Sequence, residues 1–446
     1  MSKYNRLRTT TLLAQLLGFY AQCILQKPFF FAYVIKISYL CALLSAKRIE
    51  KYYNIANMIG LFNDNFPPVM DGVALTVQNY AYWLREQGKE VCVVTPYAPH
   101  SQEILQSAKY QLERYVSVPI PMRKPYRFGM PFLDYKFLNH LHSKQFRIVH
   151  AHCPFTAGML ARQVATKQHI PMVATFHSKY RQDFERALRY RPVVDRVVEY
   201  IVRFYEQADE VWIPQAAVEP TLREYGYKGR VVVVDNGNDF VSSPQEVEQM
   251  RTQQRTHLQL ADNQTMFLFV GQHIWEKNIA FILDALALIP HLPWKLYMIG
   301  TGYAQDDIRK KINQLGLSEK VIMVGTVLDR DLLKQYYAAA DMFLFPSLYD
   351  NAPLVVREAA AMHTPALLLK DATAAEIIRN NDNGFLCQND PNAYAQLLAY
   401  LIAHPDEATK VGNRASQTIA RSWQDVMTEV SERYDEIIDR WNRTNK

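Results

Sequence analysis

The sequence predicts an α/β protein built on parallel, doubly wound sheets. Apolar runs at 58–62, 91–95, 266–271 and 342–345 are short and do not alternate, as expected of strands buried on both faces. Amphipathic stretches of helical length lie between such runs, at 73–87, 193–207 and 332–340. This β-α-β alternation places ligands beyond the carboxyl ends of the strands.

At 446 residues the chain is long enough for two or three domains. Five cysteines (Cys23, Cys41, Cys92, Cys153, Cys387) are scattered without CxxC spacing. That argues for a reducing compartment and against a disulfide framework or a zinc site. The formal charge of +6 is unevenly spread: residues 1–57 hold eight Lys/Arg and one acid, which leaves 42 basic and 43 acidic residues for the rest. A near-neutral body lacks the basic footprint of a nucleic-acid binder.

The leader, 1–57, has two apolar stretches, 12–25 and 29–44, interrupted by Lys27-Pro28 and flanked by basic residues. Neither reaches the roughly 20 uninterrupted apolar residues of a spanning helix. An interfacial anchor on an anionic membrane surface fits the pattern, with the body cytoplasmic at the inner face of the cell membrane. Met58 opens the first strand with its own Met, so the leader also reads as an upstream extension.

The body starts with strand 58–62 and a loop reaching Gly72 at the start of helix 73–87, where backbone could approach a phosphate or sugar. A plain turn glycine is the alternative. Strand 91–95 follows. Residues 109–136 then interleave basic and aromatic side chains, including Arg123, Lys124, Tyr126 and Arg127, without a helical or strand period. Their cations could meet phosphate head groups while the rings sink into the apolar boundary of a lipid surface; a Pro-rich surface loop is the alternative. His152 and His177 lie at strand ends facing one cleft; His150 and His152 could suggest a metal, yet no third ligand has metal spacing, and no metal is expected. Strands 210–214 and 231–234 complete the first domain, 58–240.

In the second domain, 241–422, residues 242–260 form a polar connector, and strand 266–271 leads into Gln272-His-Ile-Trp-Glu276-Lys277-Asn278. Strand 296–299 precedes Gly300-Thr-Gly302, and strand 321–325 precedes Thr326-Val327. Asp329-Arg-Asp331 abuts helix 332–340, where acids favour the positive end of the dipole, and is read as a cap. The pivotal stretch is Ser347-Leu-Tyr-Asp350-Asn351-Ala352-Pro353-Leu354-Val-Val-Arg-Glu358. Pro353 suits a first helical turn, so strand, loop and helix present the free amides of Ala352, Leu354 and Val355 to an anion. Asp350 and Glu358 could grip nearby hydroxyls. A last helix, 423–443 within segment 423–446, packs back across both domains.

Asp350, seven residues and Glu358 resemble the signature of retaining glycosyltransferases of family four, with Asp for the usual first Glu and His363 for a usual Gly. The resemblance extends over about 58–440. It implies a GT-B fold, two Rossmann-like domains facing a cleft, with Asn236-Gly237 as hinge. By its implication, a hexose passes from a nucleoside-diphosphate sugar to a hydroxyl, such as that of a membrane lipid or lipid-linked glycan, with no cofactor.

The same resemblance places the ribose on Glu358 and the sugar and diphosphate on Asp350, Asn351 and Ala352. Pro353 and Leu354 continue that loop. His177 reaches the donor sugar, and Gly271, Gln272 and Lys277 form the diphosphate loop. Gly300 lies on the glycine loop, Thr326 and Val327 edge the base, Gly72 lies on the acceptor-and-phosphate loop, and His152 faces the acceptor, whose entrance Arg123, Lys124, Tyr126 and Arg127 help to shape. Gln272 stands where the family has Arg, so Arg357 is considered as a compensating cation. A nucleotide-sugar epimerase of the same fold and a non-catalytic membrane adaptor derived from a transferase are the alternatives.

Overall fold

The computed structural model describes residues 58–69, 71–99, 108–120, 126–188 and 190–444. The leader, Arg123 and Lys124 therefore lie outside the described residues. From Met58 onward the chain forms one compact unit.

Strands β1 (Met58–Phe62), β2 (Glu90–Pro96) and β3 (Gln111–Tyr115) are followed by a hairpin of β4 (Ser117–Pro119) and β5 (Arg127–Gly129). Next come β6 (Phe146–Ala151), β7 (Met172–Thr175), β8 (Glu210–Ile213) and β9 (Val231–Val233). Seven of these make a parallel sheet in the order β3-β2-β1-β6-β7-β8-β9. The second sheet uses β10 (Thr265–Val270), β11 (Trp294–Ile299), β12 (Val321–Gly325), β13 (Met342–Leu344), β14 (Ala366–Leu369) and β15 (Phe385–Cys387). Its order is β12-β11-β10-β13-β14-β15, again parallel. The α/β class is as expected. Each order reverses once, between β1 and β6 and between β10 and β13, and such switch points open crevices at the carboxyl ends of strands.

The expectation that 109–136 has no regular structure is corrected. β3 pairs with β2 from Cys92↔Gln111 to Pro96↔Tyr115, and β4–β5 and a helix at Tyr135–Ser143 follow. β3 is an edge strand, so Gln111, Glu113 and Arg114 are tolerated there and no apolar run announces it. β14 and β15 also went unread.

Local chemistry sets the helix ends. Asp71 caps the Gly72–Glu86 helix by accepting from Ala74 N–H at 2.8 Å. Asp329 caps Arg330–Ala339 through the N–H groups of Asp331 and Leu332, as the reading of Asp329-Arg-Asp331 anticipates. The Leu354–Ala361 helix begins one residue after Pro353, which occupies the cap position.

The last helix, Trp423–Thr444, buries Trp423, Val426, Met427, Val430, Tyr434, Ile437 and Ile438 on one stripe. They join Ile59, Leu61, Tyr80 and Trp212 of the first lobe in one core cluster, which also takes in Leu354. Where the chain crosses between lobes, Asn238 N–H donates to Arg421 O and Trp423 N–H to Asn238 O. A Cβ on Gly237 would lie 2.6 Å from Trp423 Cα, so only glycine admits this crossing.

Candidate functional site

The pivotal loop leaves β13 at the second switch point. Ser347 Oγ donates to Asp350 Oδ2 at 2.6 Å, and Lys277 Nζ, from the loop after neighbouring β10, pairs with Asp350 Oδ1. Asn278, in the left-handed region at φ 59°, donates through Nδ2 to Pro346 O at 3.2 Å. The two loops are thus fastened together, with the ammonium and carboxylate both largely buried. Among the described residues, the N–H groups of Ala352, Leu354 and Val355 donate to no backbone carbonyl. A phosphate placed there meets open amides and the positive end of a helix.

The β10 and β11 loops pack backbone to backbone. A Cβ on Gly300 would stand 1.9 Å from Gly271 O, and one on Gly302 2.4 Å from His273 O. Beyond β12, Thr326 Oγ1 lies 3.2 Å from Thr301 Oγ1, with Val327 half-buried beside it.

Glu358 is held more firmly than its sequence position suggests. Arg330 Nη2 donates to its Oε1 at 2.8 Å and Tyr337 OH to its Oε2 at 3.0 Å. Arg330 also binds Asp239 at 2.5 Å. Burial pulls the Arg330 guanidinium down, but the Glu358 and Asp239 carboxylates outweigh it and hold the pKa above its ordinary value. Each Glu358 oxygen keeps a lone pair for a further donor.

The first lobe supplies the opposite wall. His177, just past β7, bonds through Nε2 to His152 Nδ1 at 3.1 Å, and Asn351 Nδ2 donates to His177 O at 2.8 Å. Burial pushes His177 down to about 3, and His152 and His150 well below the usual range. His152 is buried behind His177. Lys179, which sequence reasoning missed, donates through Nζ to Leu348 O at 2.9 Å; burial lowers its pKa and nearby Asp350 opposes that. The Tyr180–Leu188 helix bridges the lobes: Tyr349 OH donates to Asp183 at 2.8 Å, and Arg186 pairs with Glu276 at 2.9 Å. Histidine and lysine two apart after a strand were the available signal; their partners on the other lobe left none.

Gln272 Nε2 donates to Tyr126 OH across the cleft at 3.1 Å. Arg127 instead knits the hairpin, donating to Ser117 Oγ and O. Gly72 opens its helix with nothing within 4 Å of an added Cβ, so sterics do not demand glycine there. The idea of Arg357 as compensating cation is corrected: it is 4% exposed at the interlobe crossing, bonded to Ile419 O and Asp235 at 3.4 Å. Among the described residues no helix is long and apolar enough to cross a membrane, and no three His, Cys, Asp or Glu side chains gather as metal ligands.

Comparison with known proteins matches residues 250–418 to the family model "Glycosyl transferases group 1" and residues 70–240 to "Glycosyltransferase Family 4". The alpha-monoglucosyldiacylglycerol synthase of Streptococcus pneumoniae is 26% identical over 78% of this chain and 79% of its own length. The sulfoquinovosyl transferase SQD2 of Arabidopsis thaliana is 23% identical over 86% of this chain and 75% of its own. Among solved structures, sucrose-phosphate synthase from Thermosynechococcus elongatus superposes with TM-score 0.72 at 21% identity, covering 86% of this chain and 99% of that one. Anabaena HepE, in complex with UDP and glucose, superposes with TM-score 0.68 at 20% identity, covering 85% and 99%.

Proposed function

Since the chain belongs to the family-four glycosyltransferases and has their GT-B fold, we propose that it moves a hexosyl unit from a nucleoside-diphosphate sugar to a lipid hydroxyl, with retention. The acceptor is a membrane lipid such as diacylglycerol, or a lipid-linked glycan. The observation that carries this reading is the β13 loop, where open amides, Lys277 and a helix N-terminus converge at a switch point. Diphosphate departs onto these groups, an electrostatic strategy that uses preset dipoles and one ammonium rather than a metal or cofactor.

Glu358, steadied by Arg330 and Tyr337, takes the ribose hydroxyls on its remaining lone pairs. The acceptor oxygen attacks the anomeric carbon from the face the diphosphate leaves. The bond from that carbon to the phosphate oxygen breaks, and the departing phosphate oxygen collects the acceptor proton. No enzyme carboxylate acts as nucleophile.

A lipid acceptor is supported by the names of relatives that make glucosyldiacylglycerol and transfer galactose to a diphosphoundecaprenol-linked sugar. It is supported also by Phe128, Phe132, Leu133 and Tyr135, which stand exposed on and after the β4–β5 hairpin. Large apolar side chains grouped on a surface mark contact with an apolar partner. The protein then works peripherally, at the inner face of the cell membrane.

The test is incubation of the membrane-reconstituted protein with a panel of radiolabelled sugar nucleotides. Label extracted with lipid is expected. Label found only in water-soluble product overturns the lipid acceptor. Epimerised sugar nucleotide formed without acceptor would indicate an epimerase, and failure to bind any sugar nucleotide an adaptor; no observation here favours either.

A further inference from the structure

We propose that His152 is a positioning residue that holds His177 in the tautomer protonated on Nδ1, so that the cleft offers a hydrogen-bond donor there to a hexosyl hydroxyl. The inference rests on the reading of this cleft as a hexosyl-nucleotide site. His152 Nδ1 and His177 Nε2 stand 3.1 Å apart, and the rings lie 19° from parallel. Both rings are neutral, since burial depresses their pKa values. A neutral imidazole carries one N–H, so one ring donates to the other.

The direction is decided on the far side of His152. Its Nε2 is buried and has no hydrogen-bond partner among the described residues. If His177 were the donor, His152 would carry its proton on that Nε2, leaving an orphaned buried N–H. A bare nitrogen lone pair is the less costly loss, because buried N–H groups without partners are the rarest kind. His152 therefore donates from Nδ1, and His177 keeps its own proton on Nδ1.

Neighbouring groups hold the ring in this pose. His152 stacks on His150 at 4.0 Å, and Tyr80 meets it edge-on at 5.1 Å. His150 is itself bonded at both nitrogens, to Tyr434 OH at 2.6 Å and Thr175 Oγ1 at 2.7 Å. Beside His177, Asn351 spends its N–H on His177 O, so its buried Oδ1 is an acceptor without a partner. A sugar hydroxyl both donates and accepts. At the cleft it can accept from His177 Nδ1–H. The other tautomer would offer it only a lone pair.

The experiment is ¹⁵N-histidine spectroscopy of the full chain, with His177 assigned by comparison with His177→Asn. A protonated-type Nδ1 and a bare-type Nε2 are expected; the reverse pattern overturns the proposal whatever the variants do. In His152→Asn the amide N–H takes the place of Nδ1–H, so the tautomer should persist, with kcat within about threefold. His152→Leu should mix the tautomers and lower kcat about tenfold, the loss of one hydrogen bond. A folded His152→Leu protein that keeps both tautomer and kcat overturns the role of His152. The spectrum is read without substrate. Failure to bind sugar nucleotide would therefore strike the proposed activity and leave the tautomer assignment standing.

Discussion

Lys277 and Asp350 form an ion pair that joins the loops after β10 and β13, and both side chains are about 15% exposed. Within the pair the two charges neutralise each other. In the proposed reaction, a diphosphate arriving on the amides would compete with Asp350 for the ammonium, and its charge would grow as the glycosyl bond breaks. Lys277→Met should lower kcat by about 10²- to 10³-fold with a smaller change in donor KM. Steady-state kinetics check this, and a variant with wild-type kcat would place the departing charge elsewhere.

Glu358 belongs to a partly buried network with Arg330, Tyr337 and Asp239. Glu358→Ala leaves the guanidinium with one carboxylate and Tyr337 OH without its acceptor. A stability loss of about 2–4 kcal/mol is expected, because the partner stays buried and less compensated. Urea unfolding measures it. Calorimetric titration with nucleoside diphosphate should show weaker binding in the same variant.

Gly300, at φ 130°, touches Gly271 O so closely that a methyl cannot enter. Gly300→Ala should cost about 3 kcal/mol or more, combining overpacking with a disfavoured backbone conformation. Thermal unfolding of this variant beside Gly72→Ala, which has open space, separates the two glycines. Equal effects would contradict the packing described.

Acid should destabilise the fold through its histidines. His273 is pushed down to about 4 and His177 to about 3 by burial, and His150 and His152 are also lowered. The unfolded chain then binds more protons below pH about 6.5, so stability is complete above that value and falls as pH drops towards 4. The slope is up to about 1.4 kcal/mol per pH unit for each fully shifted ring. Urea midpoints at pH 7.5, 6 and 5 test it; a flat profile would mean these rings are protonated in the fold.

Trp423 is 1% exposed, packed on the first lobe and against Gly237 at the interlobe crossing. Trp423→Ala should cost about 3–5 kcal/mol by opening a cavity beneath the last helix. A midpoint shift too small for that loss would mean the helix contributes little to the first lobe.

Local pattern made much of this legible. Uninterrupted runs such as Phe267-Leu-Phe-Val270 announced buried strands, and the Asp350 loop with its helix was readable because strand ends and helix starts are written in neighbouring residues. β3 escaped because an edge strand needs no apolar run. Arg330 was read only within a cap; its link to Glu358, 28 positions away, has no local signature.

The sequence by itself determined the class of fold, the family, and the loops that meet at the two switch points, since each depends on short-range periodicity and turn chemistry. Tertiary structure alone decided which partner each charged or polar group takes. It set Arg357 at the interlobe crossing, His152 behind His177, and Asn351 against the opposite lobe. The reason is physical: those partners lie 25 to 174 residues apart, and only strand pairing within a sheet, as for His152 and His177, or docking of one lobe against the other, as for Asn351, brings them within hydrogen-bond reach.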